Sequence, residues 1–219
     1  MYKLSYENTN NIPVFKCDYC GSCSGILEST CHVKGKIRGC CWYFPKYNLI
    51  DIKNILDGGH KSFIYKLLNM KNAHINKYCI DVNGEFHEED YLKYKRETME
   101  EDYDFDSKLF YKICPFNTQK GCNLDFNLRP HPCNLYLCRE IIKLSGDEYN
   151  KYSKERKDYF AYCNYYDELL KDHLIENKIN LTTSPYECID LIEGIDIPKF
   201  EYRTLESIDF TSGDDILAG

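Results

Sequence analysis

The sequence predicts an α+β fold that is mainly helical, with irregular cysteine-rich metal-binding loops, a small hairpin and a long C-terminal helix. Three observations predict it. From Ser145 to about Lys178, apolar residues recur at helical spacing. The segments 17–41 and 114–138 combine cysteine with glycine or proline and follow neither the helical nor the strand period. Ile75–Val82 alternates as a strand does and precedes Asn83-Gly84, the dipeptide that a type I′ hairpin turn prefers.

The N-terminal part is expected to pass from an extended lead-in through loops into two short helices. Residues 1–16 are typical of such a lead-in, and residues 17–41 hold six cysteines among four glycines. Asn48–Asp57 predicts a helix that begins at Asn48 as its N-cap and ends at Gly58-Gly59. A second helix is expected over Lys61–Met70.

The central part is expected to place a charged surface helix between the hairpin and a further strand. Residues 88–101 are rich in charge and predict that helix. The mostly acidic run Glu100–Asp106 predicts a solvated loop, and the apolar stretch Leu109–Ile113 predicts a strand. The second cysteine segment follows this strand.

The C-terminal part is expected to be helical. Ser145-Gly-Asp-Glu148 matches a capping box and predicts the start of the long helix. Its apolar face would carry Tyr149, Tyr152, Phe160, Cys163, Tyr166, Leu170 and Leu174. Ser184-Pro-Tyr-Glu187 predicts a further short helix with Pro185 at its first position, and Gly194 lies just past its expected end.

This organisation predicts a single metal-binding domain over residues 1–194. Its metal segments are 17–41 and 114–138, and its helical part is 145–194. Residues 195–219 are expected to form an acidic tail. A chain of 219 residues is long enough for one such domain.

Composition and charge narrow the classes of function. The formal net charge of −7 disfavours nucleic acid as a partner. A protein or peptide partner is expected only if the metal centre has an enzymatic or a structural role. No apolar run approaches the ~18–20 residues that span a bilayer, and the first residues lack the apolar core of a signal peptide. We therefore expect a cytoplasmic protein with no membrane association. Thirteen cysteines in that reducing compartment indicate metal or redox chemistry rather than structural disulfides.

The first cysteine pattern is Cys17-Asp-Tyr-Cys20-Gly-Ser-Cys23. Two-residue spacers allow tight turns that aim neighbouring sulfurs at one centre, and Gly21 eases such a turn. The C-x3-C-P that completes a bacterial ferredoxin run does not follow. The C-x3-C-x2-C spacing of radical S-adenosylmethionine enzymes is absent as well.

The second cysteine set lies among prolines and glycines, which hold the backbone out of regular structure as a ligand loop requires. Its members are Cys114, Cys122, Cys133 and Cys138. Cys133 and Cys138 are five residues apart, so neither a helix nor a strand would aim both at one centre. Cys133 is the favoured ligand of the two, because it directly follows the turn Arg129-Pro-His-Pro.

These motifs together resemble the YkgJ family of zinc- or iron-chelating proteins, which carries a CxxCxxCC signature. The motifs are, in order, Cys17-x2-Cys20-Gly-x-Cys23, Cys114-Pro-Phe, Gly121-Cys122-x-Leu and Arg129-Pro-x-x-Cys133. The resemblance covers residues 17–23 and 114–133. It implies that the chelating positions are Cys17, Cys20, Cys23, Cys114, Cys122 and Cys133, and it does not identify the metal.

The sequence departs from this signature at Ser24, where the family has the second cysteine of its terminal pair. A replacement ligand is expected from Cys31, Cys40, Cys41 or Cys138. Adjacent thiols would close a strained ring on one metal, so only one of Cys40 and Cys41 is expected in a given site.

The remaining cysteines and two histidines have other expected roles. Cys163 and Cys188 fall on apolar helix faces and are expected in the core, whereas Cys79 stays unassigned. His32 and His131 are alternatives as nitrogen ligands, which would favour zinc or raise a cluster potential. A polar loop side chain is the favoured interpretation of each histidine.

The favoured function is a cysteine-ligated metal-binding protein that carries a [4Fe–4S] cluster or Zn²⁺ in a redox, binding or structural role. Three closely spaced cysteines completed by a remote one favour the cluster. The alternative is a metal-dependent peptide- or protein-modifying enzyme, because flagellin lysine-N-methylases are similar in their cysteine set. The sequence names no base or nucleophile for such an enzyme.

Overall fold

The protein contains both helices and strands, which confirms the α+β class, and a long helix lies in its C-terminal part as expected. The computed structural model of the chain describes residues 2–19, 32–33, 44–97, 106–118 and 121–211.

The first sheet is built around the N-terminal strand. Strands β1 (Tyr2–Thr9) and β2 (Ile12–Cys17) form an antiparallel hairpin. Asn10 and Asn11 make its turn with φ of 52° and 64°, a left-handed conformation that asparagine tolerates better than most residues. The expected extended lead-in is therefore a paired hairpin, and Cys17 is the last residue of its second strand.

The second sheet contains a small hairpin, but it is not the predicted one, because the chain reverses at residues 76–78, inside the predicted strand Ile75–Val82. Its strands are β3 (Lys46–Asn48), β4 (Ala73–Ile75) and β5 (Cys79–Val82), in the antiparallel order β3-β5-β4. The expected turn at Asn83-Gly84 is wrong, because the chain reverses between β4 and β5. Gly84 serves close packing instead, since a Cβ atom there would overlap the ring of Phe44.

A smaller unit follows β5. Strand β6 (Glu85–Phe86) precedes helix α3 (Glu88–Glu97). It pairs in antiparallel fashion with β7 (Lys112–Ile113). The expected strand over Leu109–Ile113 forms only in its last two residues, because Ser107–Tyr111 is a 3-10 helix. The Asp106 carboxylate starts that helix by accepting a hydrogen bond from the Lys108 N–H group, 3.1 Å away.

Helix α1 (Leu49–Asp57) lies at the centre of the main core, and α2 (Lys61–Leu68) packs beside it. Both helices agree with the sequence prediction, including Asn48 as the N-cap of α1. The Asp51 carboxylate accepts a hydrogen bond from the Asn48 N–H group at 3.0 Å and so satisfies the start of α1. The apolar residues that α1 buries are Leu49, Ile50, Ile52, Ile55 and Leu56.

The second cysteine segment consists of short strands, a 3-10 turn and short helices. Strands β8 (Asn117–Thr118) and β9 (Gly121–Cys122) pair with each other, and a 3-10 turn over Phe126–Leu128 follows. Two short helices complete it, α4 (His131–Asn134) and α5 (Arg139–Leu144).

The C-terminal helices are α6 (Tyr149–Glu176) and α7 (Pro185–Gly194), and both contact α1. The capping box expected at Ser145 is wrong, because the Ser145 hydroxyl donates to the Ile141 carbonyl oxygen of α5 at 2.7 Å. Helix α6 begins after a 3-10 turn instead. Its buried apolar residues are Tyr152, Tyr159, Cys163, Leu170 and Leu174.

The residues after Gly194, which the sequence interpretation set apart as an acidic tail, contact the rest of the molecule. Strand β10 (Ile208–Phe210) pairs with the free edge of β1, so that Tyr2 faces Phe210. Upstream of it, the Tyr162 hydroxyl donates to the Pro198 carbonyl oxygen at 2.8 Å, and the ring of Phe200 packs on that of Tyr159. Residues 198–210 therefore belong to the packed structure.

Candidate metal centre

The expected metal ligands divide into two groups. The structure describes Cys17, Cys114, Cys122, Cys133 and Cys138. The other expected ligands lie outside the described residues: Cys20, Cys23, Cys31, Cys40 and Cys41.

Cys114 and Cys122 are held close together by the β8–β9 hairpin. The Cys114 carbonyl oxygen accepts a hydrogen bond from the Asn117 N–H group at 2.9 Å, and Asn117 is the strand partner of Cys122. Gly121 has a φ of +100°, which a residue with a side chain rarely adopts. The glycine of the Gly121-Cys122 motif is thus required by the backbone of this hairpin.

Arg129 ties this hairpin to the turn that carries Cys133. Its guanidinium group donates to the Leu124 carbonyl oxygen at 2.7 and 2.8 Å, and to that of Cys122 at 3.4 Å. It also stacks on the ring of Phe126 at 4.2 Å. Pro130 follows as the N-cap of α4, and its carbonyl oxygen accepts from the Cys133 N–H group at 2.9 Å. The arginine and the proline of the Arg129-Pro motif therefore both have structural roles.

Three of the four members of the second set, Cys114, Cys122 and Cys133, affect the buried phenol of Tyr47. Burial is the largest cause that raises the pKa of the Tyr47 hydroxyl. The negative charges of nearby acidic groups raise it further, namely those of Cys133, Asp51, Cys122 and Cys114. The hydroxyl itself donates to the Leu128 carbonyl oxygen at 3.0 Å. Three of the expected ligands thus lie near one buried phenol.

The end of strand β2 lies beside the same region. Strand β2 contacts both α4 and the 3-10 turn over 126–128. The Lys16 Nζ atom is 5.1 Å from the centre of the Phe126 ring, on which Arg129 also stacks. The first cysteine pattern, which starts at Cys17, therefore begins next to the second set.

Cys138 occupies a different position. It is the N-cap of α5, where its carbonyl oxygen accepts a hydrogen bond from the Ile142 N–H group at 3.1 Å. Its side chain is half-buried at the edge of the main core.

The thiols near Tyr47 do not by themselves make a coordination site. Within the part of the chain that the structure describes, no three His, Cys, Asp or Glu side chains are arranged to hold a metal ion.

His131 has a different environment from the one expected. It is buried rather than on a polar loop surface. Its Nδ1 atom and its backbone N–H group lie 2.9 and 2.8 Å from the same oxygen, Oδ1 of Asp51. Burial lowers the pKa of His131, but the Asp51 charge and hydrogen bond outweigh it, and the net shift is upward. Asp51, Tyr47 and Arg129 carry no sequence signal as supports of this segment, because their partners are distant along the chain or are backbone atoms.

The other candidates are accounted for by packing. Cys163 and Cys188 are fully buried, as expected, and burial raises the pKa of the Cys188 thiol to about 11. Cys79 lies half-buried in β5. His32 packs its ring against those of Phe110, Tyr111 and Tyr94, which places it in the small aromatic unit around α3.

No family model, no curated protein and no solved structure matches this chain. The resemblance to the YkgJ family therefore stays a prediction that rests on the motifs quoted above. Among the described residues, no helix is long and apolar enough to cross a membrane.

Proposed function

We propose that the protein binds a metal centre through cysteine thiolates from residues 17–23 and 114–133, as the YkgJ resemblance implies. One observation carries the proposal: the β8–β9 hairpin holds Cys114 near Cys122, and Arg129 links that hairpin to the turn that carries Cys133. Thiolates are the ligands that both zinc and iron–sulfur clusters use.

The ligand set is proposed to be completed from the first cysteine pattern. Cys17 ends β2, which contacts the turn that carries Cys133. Cys20 and Cys23 follow it at two-residue spacing and supply further sulfurs. Their place in the ligand set rests on this spacing and on the YkgJ resemblance.

We favour a [4Fe–4S] cluster over zinc. Three cysteines in C-x2-C-x2-C spacing with a remote fourth are typical of cluster ligation. The buried Cys114 and Tyr47 also give the centre an apolar side, which limits the access of water. Such a cluster would supply one-electron transfer, whereas zinc would cross-link the two segments.

Anaerobic purification of the full chain, followed by iron, sulfide and zinc analysis, tests this function. A cluster predicts about four iron and four sulfide per chain with visible absorption. Stoichiometric zinc without sulfide would replace the cluster by a zinc site. A protein that contains none of these and cannot be reconstituted would refute the proposal.

Single cysteine variants identify the ligands. Cys114→Ser and Cys133→Ser should each contain less bound metal than the unchanged protein. Cys79→Ser is the matched control, because Cys79 is half-buried like Cys133 but lies in the second sheet. Equal metal content in all three variants would mean that the second set does not bind the metal.

A further inference from the structure

The segment from Tyr47 to Asp51 holds the Cys133 turn at two points. The Tyr47 hydroxyl binds the Leu128 carbonyl oxygen, and Oδ1 of Asp51 accepts from both the backbone N–H and Nδ1 of His131. Cys133 is two residues beyond His131, in the same short helix α4. A helix of this length has little stability of its own, so its orientation depends on these contacts.

Asp51 is held rigidly in α1 and can therefore fix the position of His131. It lies in the first turn of α1 with a side chain that is 2% exposed, and its other oxygen, Oδ2, accepts from the Asn48 N–H group at 3.0 Å. Helix α1 is buried against α6 and α7. A buried carboxylate is costly without partners, and here His131 and the positive end of α1 provide them.

The ring of His131 is enclosed from the other side by α6. Its centre lies 4.7 Å from that of Phe160 and 6.2 Å from that of Tyr159, edge-on to both rings. Asp51 engages Nδ1 while these aromatic rings pack against the imidazole. In this environment His131 links α1, α4 and α6 by a hydrogen bond and by packing, which suits a structural role better than that of a nitrogen ligand.

We propose that Asp51, acting through His131, is the positioning pair that directs the Cys133 thiol into the metal centre. This inference rests on the proposed function. Residues that orient metal ligands without touching the metal typically change metal affinity by about tenfold to a hundredfold when they are replaced. The expected consequence is a change at one ligand, Cys133, and not a loss of the whole centre.

Cobalt(II) titration of the full-length apoprotein tests the pair, because thiolate-to-cobalt absorption increases with the number of bound thiolates. His131→Ala and Asp51→Asn should lose the same share of this absorption as Cys133→Ser and bind cobalt roughly tenfold to a hundredfold more weakly. His131→Asn should retain most of the absorption and most of the cobalt affinity, since an asparagine amide can donate a hydrogen bond from the position of Nδ1. Asp57→Asn, at the exposed end of the same helix, should match the unchanged protein.

The double variant His131→Ala/Cys133→Ser separates positioning from general destabilisation. A positioning role predicts no loss of absorption beyond that of Cys133→Ser alone, whereas a further loss would overturn it. Circular dichroism verifies that each variant is folded. If Asp51→Asn unfolds, the difference in cobalt absorption between His131→Ala and His131→Asn tests the positioning role instead. If Cys133→Ser loses absorption but His131→Ala does not, the inference is wrong and the proposed function stands. An unchanged protein that shows neither thiolate-to-cobalt absorption nor, after anaerobic reconstitution, iron–sulfur absorption would overturn both.

Discussion

Single polar residues outside the cysteine set hold its loops in place. Tyr47 and Arg129 both donate to backbone carbonyl oxygens of this segment, at Leu128 and at Leu124. Such a hydrogen bond contributes only about 0.5–1.5 kcal/mol net, but leaving a buried partner unsatisfied costs about 1–3 kcal/mol. The shape of the loops therefore depends on a few side chains whose loss should be measurable.

Tyr47→Phe keeps the buried ring and removes only the hydroxyl that binds Leu128. We expect the free energy of unfolding in urea to fall by about 1–2 kcal/mol, because the Leu128 carbonyl oxygen loses a donor. Tyr165→Phe is the matched control, since Tyr165 is 66% exposed, and it should change the free energy by less than about 0.5 kcal/mol. Equal effects of the two variants would contradict the role given to this hydroxyl.

Alkaline pH should destabilise the protein through its buried tyrosines. Burial raises the pKa of Tyr152 to about 12, and Tyr6 shifts in the same direction because of burial and the Glu155 carboxylate. The folded state thus holds these protons more tightly than the unfolded chain, in which tyrosine has a pKa of about 10. Their contribution to stability is complete below pH ~10 and is lost as the pH rises toward 12.

Tyrosinate absorbance and circular dichroism, followed together during a pH titration, measure this effect. Ionisation of the buried tyrosines should coincide with unfolding, and Tyr152→Phe should flatten the fall in stability above pH ~10. Normal tyrosine titration in a protein that stays folded would contradict the expectation.

At the scale of elements, β10 joins the C-terminal residues to the N-terminal sheet. Its side chains alternate, with Ile208 and Phe210 buried and Asp209 exposed. This pattern is short and follows a stretch without regular structure, which explains why the sequence suggested a tail. The strand is recognisable only once β1 is known to offer an open edge.

Ile208→Ala tests whether β10 contributes to stability. Because Ile208 is 5% exposed, its truncation should lower the free energy of unfolding by about 2–4 kcal/mol, as measured by urea denaturation. Asp209→Ala on the same strand points outward and should change it by less than about 0.5 kcal/mol. A small effect of Ile208→Ala would mean that residues 208–210 are dispensable for folding.

At the scale of the whole molecule, the main core extends well beyond the cysteine segments. It includes α1, α6, α7 and the first two sheets. Chelation of the metal-loaded protein should therefore abolish the absorption of the centre while most of the helical circular dichroism remains. Global unfolding on chelation would instead indicate that the metal is a structural staple.

The sequence predicts features that depend on local interactions better than features that depend on contacts between distant residues. Helices α1 and α7 begin at local signals, Asn48 and Pro185, and agree with the prediction. The start of α6 differs from the prediction, and the short helices α4 and α5 were not predicted. Pairings such as β1 with β10 and β3 with β5 join distant residues and were not predicted. The same applies at the candidate site, where motif spacing selected the cysteines but the contact between Asp51 and His131 required the structure.

The position of β1 between β2 and β10 has a consequence for how the chain reaches its native state. Tyr2 faces Phe210, so nearly the full described chain separates two paired residues. The β1–β2 hairpin can form as soon as it leaves the ribosome, but its outer edge stays unpaired until β10 has been synthesised. Contacts between such distant residues slow folding, and closure of this sheet is therefore expected to be a late step in folding.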